Sequence, residues 1–336
     1  MRARSFLILS AVTIGVTAAA IGAVLQQEAP QTVVETGGPV FPGLVSRLGE
    51  VSSVVVRDAQ HTLTIRRLEG GGWGIAERGD FPVQPEKVRE LVSSLVQLEK
   101  AEAKTTRPDL YPRLGVEDVG APDAKSKEVT LQTATGTPVA RLLVGNAGTG
   151  VGAEGATYVR IPGEPQAWLA RGTLAPTPEA QEWVERRLIQ LPTAEIREMR
   201  IVQRDGATLT VVRESGDASG FRLVELPKGA KLNRPDAIDA LAATLNEVPL
   251  EDLAPLDGIE FPAKGTLRVG ATRTDGTKLK VEIVERSGEF WLRFVDGTAP
   301  AALPATAKNL AFRIPAWKVT PLERKVSDFV DAGSGS

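Results

Sequence analysis

His61 is the only histidine in the chain, and the chain contains no cysteine. Any general base or catalytic triad that uses an imidazole would therefore depend on this single side chain. Zinc sites take three or four protein ligands, mostly nitrogen or sulfur, so His61 alone cannot form one. Since His61 stands between two alternating apolar segments, we interpret it as an exposed turn histidine.

Two acidic pairs, Glu117-Asp118 and Glu251-Asp252, are the carboxylate groups that could ligate a hard cation. Neither has the D-x-D-x-D-G spacing that focuses several oxygens on one ion, so we interpret both as solvated loop charges. Two carboxylates also suffice for glycoside hydrolysis, and 42 acidic residues allow many pairs in space. A carboxylate-dependent hydrolase therefore stays an alternative without a positive signal.

Residues 150–155 match the G-x-G-x-x-G pattern of dinucleotide-binding folds letter for letter. In those folds the glycines lead from a strand into a helix, whose N-terminus binds the pyrophosphate. The residues that follow here, ATYVRI, alternate like a strand, which favours a flexible hairpin. A serine nucleophile is not indicated either, because no G-x-S-x-G elbow occurs and Ser219 lies in the hairpin turn GDASG. The sequence thus predicts no catalytic, cofactor-binding or metal-ligating residue, and no enzymatic activity.

Charge is nearly balanced, with 40 basic and 42 acidic residues and a formal net charge of −2. Proteins that bind nucleic acids carry basic surfaces that neutralise phosphates, so this balance argues against such a partner. With 336 residues, 42% of them hydrophobic, the chain is long and apolar enough for two globular domains. We predict no nucleic-acid partner and no nucleotide.

The N-terminus contains 21 consecutive uncharged residues, from Ser5 to Leu25. At 1.5 Å per residue this length crosses a hydrocarbon core of ~30 Å, so it predicts one transmembrane helix. Arg2 and Arg4 precede the segment, and the next basic residue is Arg47. By the positive-inside rule, Arg2 and Arg4 keep the N-terminus in the cytoplasm and place the folded part outside it.

A cleaved signal peptide is the competing interpretation of this segment, because alanines between positions 18 and 23 could provide a cleavage site. The apolar run exceeds the usual ~7–15 residues of a signal sequence, which favours an uncleaved anchor over residues 1–25. Residues 26–43 are rich in Pro, Gly and Thr and lack apolar periodicity, as is typical of a flexible tether. A disordered tail is expected over residues 331–336.

The rest of the chain contains one pattern of about 140 residues twice. Residues 54–67 and 200–213 alternate apolar and polar side chains around a turn, which predicts two β-hairpins. Each hairpin leads through an aromatic residue, Trp73 or Phe221, to a helix with a proline in its first turn. Both helices carry apolar stripes at i, i+3, i+4 and i+7 spacing, formed by Val88, Leu91, Val92, Leu95 and Leu98 and by Ile238, Leu241, Ala242, Leu245 and Val248.

Each copy continues with a second hairpin, centred on Gly136 or Gly276, and then a closing strand. Thr177-Pro178 and Thr320-Pro321 are typical of a helix N-cap followed by proline, so each copy is expected to end in a helix. Together, these features predict that the apolar stripe of each helix packs on an antiparallel sheet.

We therefore predict an α+β fold of two tandem repeat modules, residues 44–191 and 192–330, behind one N-terminal transmembrane helix. Equivalent core positions in the two modules are expected for three pairs: Val55 with Ile201, Leu63 with Leu209, and Leu91 with Leu241.

Five features occur together in the chain: the N-terminal apolar segment, the strand Trp73-Gly-Ile75, the helix start QPEKV at Gln84–Val88, the stretch YPRLGV from Tyr111, and the later L-V-G…Y-V-R pattern. In this combination the chain resembles the bacterial family DUF4340, a domain of unknown function. The resemblance implies an accessory role in the cell envelope, because members are commonly encoded near, or joined to, gliding-motility-type ABC transporter auxiliary proteins. It implies no catalytic residues.

Three functions are compatible with these features. The first is a membrane-anchored periplasmic scaffold or accessory subunit of an envelope complex, such as an ABC transporter. The second is a periplasmic module that binds lipid or polysaccharide in a cleft between the two copies. The third is the carboxylate-dependent hydrolase. We expect the first, as a single-pass protein of the bacterial inner membrane with an envelope or transporter protein as its partner.

Overall fold

The computed structural model describes residues 37–148, 155–214, 220–234 and 236–330. In these ranges the strands form a nine-stranded sheet, an eight-stranded sheet and a separate pair. Helices are few and short, and the longest of those described has 13 residues. The predicted α+β class is confirmed at this level, as a mostly antiparallel sheet structure with a few short helices.

The predicted transmembrane segment, Ser5 to Leu25, lies outside the described residues together with Arg2 and Arg4. Among the helices of the described part, none is both long and apolar enough to cross a bilayer.

The first half contains α1 (Leu44–Arg47), β1 (Ser53–Arg57), β2 (Thr62–Arg67), β3 (Trp73–Ile75), β4 (Phe81–Pro82), α2 (Pro85–Gln97), β5 (Glu99–Thr105), α3 (Tyr111–Leu114), β6 (Lys127–Gln132), β7 (Pro138–Ala147), β8 (Ala156–Arg160) and β9 (Ala167–Arg171). Short 3-10 helices occupy Leu48–Glu50, Ala76–Arg78, Pro108–Leu110 and Ala180–Glu182.

The second half contains β10 (Arg187–Ile189), β11 (Ile196–Val202), β12 (Thr208–Arg213), β13 (Phe221–Leu223), α4 (Ala237–Ala242), β14 (Val248–Pro249), β15 (Asp252–Pro255), β16 (Leu267–Arg273), β17 (Lys278–Arg286), β18 (Glu289–Phe294), β19 (Leu310–Ile314) and α5 (Ala316–Val319). Its 3-10 helices are Thr193–Glu195, Ala243–Leu245, Leu256–Gly258, Ala305–Asn309, Thr320–Glu323 and Val326–Phe329.

The two large sheets repeat one strand order. The first runs β4-β3-β2-β1-β6-β7-β8-β9-β5, and the second runs β13-β12-β11-β16-β17-β18-β19-β15. Apart from β4, each strand of the first sheet therefore has a counterpart at the same place in the second. The predicted hairpins about Gly136 and Gly276 are present, and both glycines adopt a positive φ. The boundary between residues 191 and 192 stays a prediction, and β10 pairs with β14 of the second half.

The register shows which core residues correspond. Leu63 pairs with Val56, and its counterpart Leu209 pairs with Ile201, so Val56 is the equivalent of Ile201. The predicted match of Val55 with Ile201 is wrong by one residue, and Val55 is half-buried on the opposite face of β1. Neighbouring residues of a strand point to opposite faces, and the run Val54 to Val56 offers no alternation to fix the phase.

The two helices with a predicted apolar stripe, α2 and α4, bury it to different extents. In α2, Val88, Leu91 and Leu95 are buried under the first sheet. The counterpart α4 has six residues and continues as the 3-10 helix Ala243–Leu245. Leu91 and Leu241 are both buried, as predicted.

The predicted terminal helices are wrong. Thr177-Pro178 lies in chain without regular secondary structure, and Arg187–Ile189 forms β10. In the second half, Thr320–Glu323 is a single 3-10 turn. Pro176 and Pro178 favour extended backbone in the residues before them. The indole N–H of Trp183 donates to the Thr177 carbonyl at 2.9 Å, so burial of this large side chain shapes the segment instead.

Both halves close in the same way, by returning to the chain shortly before their helix. The Gln84 backbone N–H donates to the Trp183 carbonyl at 2.7 Å, and its side-chain amide donates to the Val184 carbonyl at 3.2 Å. In the second half, Asn233 makes the equivalent bonds to the carbonyls of Phe329 and Asp328. These amides thus fix the last segment of each half against the start of its helix.

The halves share one hydrophobic core. Phe81 of β4 packs edge-to-face on Phe312 of β19, with ring centroids 6.0 Å apart, and Phe294 packs on the same ring at 5.7 Å. Phe312 is completely buried. Aromatic pairs of this geometry are stabilising beyond their buried area, so this contact joins the two sheets firmly.

Candidate functional site

The stretch that begins at Tyr111 is held by a buried arginine of the closing strand β8. Arg160 is 4% exposed, and its Nε donates to the Val116 carbonyl at 2.9 Å. Its Nη2 donates to Asp118 Oδ1 at 2.6 Å, and its Nη1 donates to the Glu164 carbonyl at 3.3 Å. A buried guanidinium needs such acceptors, because burying its charge without partners is costly.

The ring of Tyr111 completes this cluster. The Arg160 guanidinium lies 4.4 Å from the ring centroid, a cation–π geometry. The Tyr111 hydroxyl donates to the Pro165 carbonyl at 2.6 Å. We call Tyr111, Val116, Asp118 and Arg160 the arginine cluster. Tyr111 begins the YPRLGV stretch, and Arg160 ends the Y-V-R motif. The cluster therefore joins two motifs whose residues Tyr111 and Arg160 are 49 positions apart in the sequence.

Gly145 of β7 allows this stretch to lie close to the sheet. A Cβ atom at this position would come within 2.2 Å of the Leu114 carbonyl oxygen and 2.8 Å of the Gly115 oxygen. Both are backbone atoms of the turn after Tyr111, so they cannot move aside like a flexible side chain. The glycine is therefore required by the docking of the Tyr111 stretch on β7.

We expect Gly145→Ala to destabilise the protein by about 1–3 kcal/mol, because the added methyl group overpacks a backbone contact. Urea denaturation monitored by tryptophan fluorescence measures this change. Gly270→Ala is the matched control, since Gly270 also lies in a strand but has open space around its Cβ position. Equal stability of the two variants would contradict the close approach at Gly145.

The second half contains a counterpart of the arginine cluster. Arg293 of β18 lies over the ring of Phe261 at 4.6 Å, and Phe261-Pro262 parallels Tyr111-Pro112. Glu282 bridges two arginines, with Arg293 Nη2 at 2.6 Å and Arg268 Nε at 3.0 Å. Sequence reasoning missed this repeat, although the signal was there: an aromatic-Pro pair that precedes a closing strand with an arginine.

Both clusters position the chain rather than present a free charge. Each guanidinium is engaged by a carboxylate of its own half, and Arg160 also donates to backbone carbonyls. An arginine that recognises a ligand needs donors directed outward. The clusters instead pin an irregular segment to each sheet, over a small apolar cluster that is separate from the main core.

The acidic pairs do not form one site. Glu117 is 7% exposed, and its Oε1 accepts the Lys125 backbone N–H while Oε2 has no partner within the described residues. Its interpretation as a solvated loop charge is wrong, because the carboxylate shapes the loop before β6. Asp252 lies 4.0 Å from Arg78 across the contact between the halves. The described part of the chain holds no group of three or more His, Asp or Glu arranged for a metal ion.

His61 lies in the turn between β1 and β2, and its side chain is 57% exposed, as predicted. Its Nδ1 is 3.6 Å from Asp58 Oδ1, which also accepts the backbone N–H groups of Gln60 and His61 at 2.8 and 2.7 Å. Burial raises the pKa of Asp58, but these N–H groups and the imidazole outweigh it, so the pKa lies below its ordinary value. The geometry is that of a capped turn. Residues 150–154 and Ser219 lie outside the described residues.

One concavity of the described residues lies along α2. It has a volume of about 480 Å³ and is bounded by α2 on one side and by residues 173–183 on the other. We call it the α2 cleft. Two further cavities, of about 550 and 510 Å³, are lined by residues of both halves, and Phe81 lines the second of them.

Comparison with known proteins identifies the family. The family described as Domain of unknown function (DUF4340) matches residues 73–268, from β3 of the first half to β16 of the second. No curated protein and no solved structure matches the chain. The matched range includes the Tyr111 stretch, Gly145 and Arg160, the residues that the geometry shows to act together. The chain belongs to the DUF4340 family.

Proposed function

We propose that the protein is a membrane-anchored scaffold or accessory subunit of a bacterial envelope complex, with its folded part in the periplasm. The observation that carries this proposal is the single core that joins the two halves through Phe81 and Phe312. A core shared by two repeats opposes the hinge motion that closure on a substrate would need. It holds its surfaces at fixed positions, which is what a scaffold requires.

Two further observations support a binding role. Arg160 is buried and Arg293 half-buried, and both are used within the fold, so the family motifs serve architecture. Trp317 of α5 is 63% exposed, and tryptophan is among the residues that contribute most to protein interfaces. An accessory role in transport by an ABC-type complex is what the family resemblance implies, and it forms part of the proposal.

The proposal predicts a stoichiometric protein partner. We expect the full chain, tagged after Ser336 and purified from membranes in mild detergent, to bring one envelope protein at a fixed ratio. Quantitative mass spectrometry measures that ratio, and native mass spectrometry of the same sample detects bound lipid or glycan. A preparation that carries lipid or glycan and no protein would favour the alternative of a ligand-binding module.

The proposal also predicts the membrane topology. A periplasm-dependent phosphatase fused after Ser336 should be active, because Arg2 and Arg4 retain the N-terminus in the cytoplasm. Replacing both arginines by glutamate should lower this activity by weakening the charge bias. Activity of a cytoplasm-dependent reporter at Ser336, or a soluble form that lacks residues 1–25, would contradict the anchor.

A further inference from the structure

The α2 cleft has an apolar floor and a charged rim. Leu91, Leu174 and Trp183 are buried and form the floor. Lys87 and Glu90 stand on the rim contributed by α2, and Glu182 stands on the opposite rim. Neither Lys87 nor Glu90 has an ion-pair partner among the described residues, whereas Glu182 lies 3.5 Å from Arg186.

The second half covers the corresponding helix face. Aligning Leu91 with Leu241 places Ala237 at the position of Lys87 and Thr244 at the position of Ser94. Ala237 is 4% and Thr244 6% exposed, whereas Lys87 is exposed and Ser94 is half-buried. The two copies have therefore diverged at the same face of the same helix.

Helix α5 makes the difference in packing. It lies against the 3-10 helix Ala243–Leu245, and the Lys318 ammonium donates to the Asn246 carbonyl. In the first half the chain that follows β9 has no regular secondary structure from Thr173 to Thr177, and it leaves the cleft between itself and α2. This helix face is covered in the second half, whereas in the first half it is open and carries charged residues. We therefore interpret the face of α2 as a specialised surface.

We propose that the α2 cleft binds an extended segment of the protein partner, with an apolar side chain on the floor and a basic side chain beside Glu90. This inference rests on the proposed function and names where its partner binds. The volume of about 480 Å³ accommodates one or two side chains of such a segment. Glu182 is already paired with Arg186, so Glu90 is the rim carboxylate without an ion-pair partner among the described residues, and it favours a basic neighbour for the apolar anchor.

Other ligand classes fit this cleft less well. A lipid chain requires a continuous apolar lining, but half of the rim is charged or hydroxylated. A sugar requires an exposed aromatic face for stacking. Trp183 is 4% exposed, and its indole N–H is bonded to the Thr177 carbonyl. The peptide alone uses both the apolar floor and the charges of both signs.

Site-specific photocrosslinking in native membranes tests this inference. A benzophenone-bearing phenylalanine analogue replaces Ser94, which lines the cleft, in the full chain. The same analogue at Ser93, which is exposed on α2 outside the cleft, is the matched control. We expect a crosslinked protein from position 94 only, and mass spectrometry should locate the bond in a segment where an apolar residue adjoins Lys or Arg.

Charge reversal tests the basic side chain. Glu90→Lys should lower the yield of the crosslink from position 94 about tenfold, because it replaces attraction by repulsion beside the anchor. Glu86→Lys, an exposed change on the same helix outside the cleft, should leave the yield unchanged. Circular dichroism confirms that both variants are folded.

Each result decides the inference. A crosslink to lipid, equal yields from positions 93 and 94, or an unchanged yield in Glu90→Lys would overturn it. If a partner co-purifies at a fixed ratio but gives no crosslink from position 94, the cleft is not its docking site and the scaffold function stands. If no protein co-purifies, the scaffold function itself fails.

Discussion

Replacing Leu241 by Asp is expected to unfold the second half of the protein and to abolish its function. Leu241 is 2% exposed and belongs to the hydrophobic core. Burying an unpaired carboxylate costs several kcal/mol, comparable with the ~5–15 kcal/mol stability of an ordinary domain. Leu91→Asp should have the same effect in the first half, where Leu91 is 7% exposed.

Neighbouring positions provide matched controls for these changes. Ala240→Asp and Ser93→Asp add the same charge at exposed positions of α4 and α2 and should change stability by less than ~0.5 kcal/mol. His61→Ala should also be tolerated, since its side chain is in a surface turn. Thermal unfolding and complementation are compared at equal abundance in the membrane. Loss of function in a folded, normally abundant His61→Ala protein would contradict the scaffold proposal and favour an enzyme.

Replacing Phe312 by Ala is expected to cost about 3–5 kcal/mol, because it removes a completely buried ring from the contact between the halves. Phe81→Ala should cost a similar amount, since Phe81 is 4% exposed and packs on Phe312 from the other half. The two changes together should cost less than the sum of both. The difference is expected to be about 0.5–1.5 kcal/mol, the coupling of an edge-to-face aromatic pair.

Denaturant unfolding of the four proteins of this double-mutant cycle measures the coupling. The unmodified protein should unfold in one transition, because both halves share the core. Trp317→Ala is the control, since this ring is 63% exposed and contributes little to the core. Additive effects of Phe81→Ala and Phe312→Ala, or separate transitions for the two halves, would contradict a single rigid body and with it the main support for a scaffold.

The alternation of apolar and polar residues predicted the strands and hairpins well, because the pattern itself records which face is buried. Trp73 and Phe221 mark β3 and β13, and Leu63 and Leu209 occupy equivalent positions. The predictions from this pattern failed where consecutive residues were all apolar and where prolines suggested a helix start. Three consecutive valines left Val55 one residue out of phase, and Thr177-Pro178 suggested a helix that the burial of Trp183 prevented.

The candidate sites were less predictable, because they depend on residues that are far apart in the chain. The motifs around Tyr111 and Arg160 are visible in the sequence. Nothing in their spacing indicates that the Arg160 guanidinium lies over the Tyr111 ring. Glu117 is an acidic loop residue by its neighbours, yet the fold buries it. The α2 cleft depends on the path of residues 173–183 over the helix, which has no periodic signal.

The sequence by itself determined the repeat, the α+β class and the membership of the family, since these depend on local periodicity and on short motifs within each copy. Tertiary structure alone decided that Phe81 and Phe312 join the copies into one core, that Arg160 is buried within the fold, and that the face of α2 is open where that of α4 is covered. The physical reason is that periodicity tells only that a side chain is buried. Which surface buries it, and which is left open to a partner, depends on contacts between segments that are distant in the sequence.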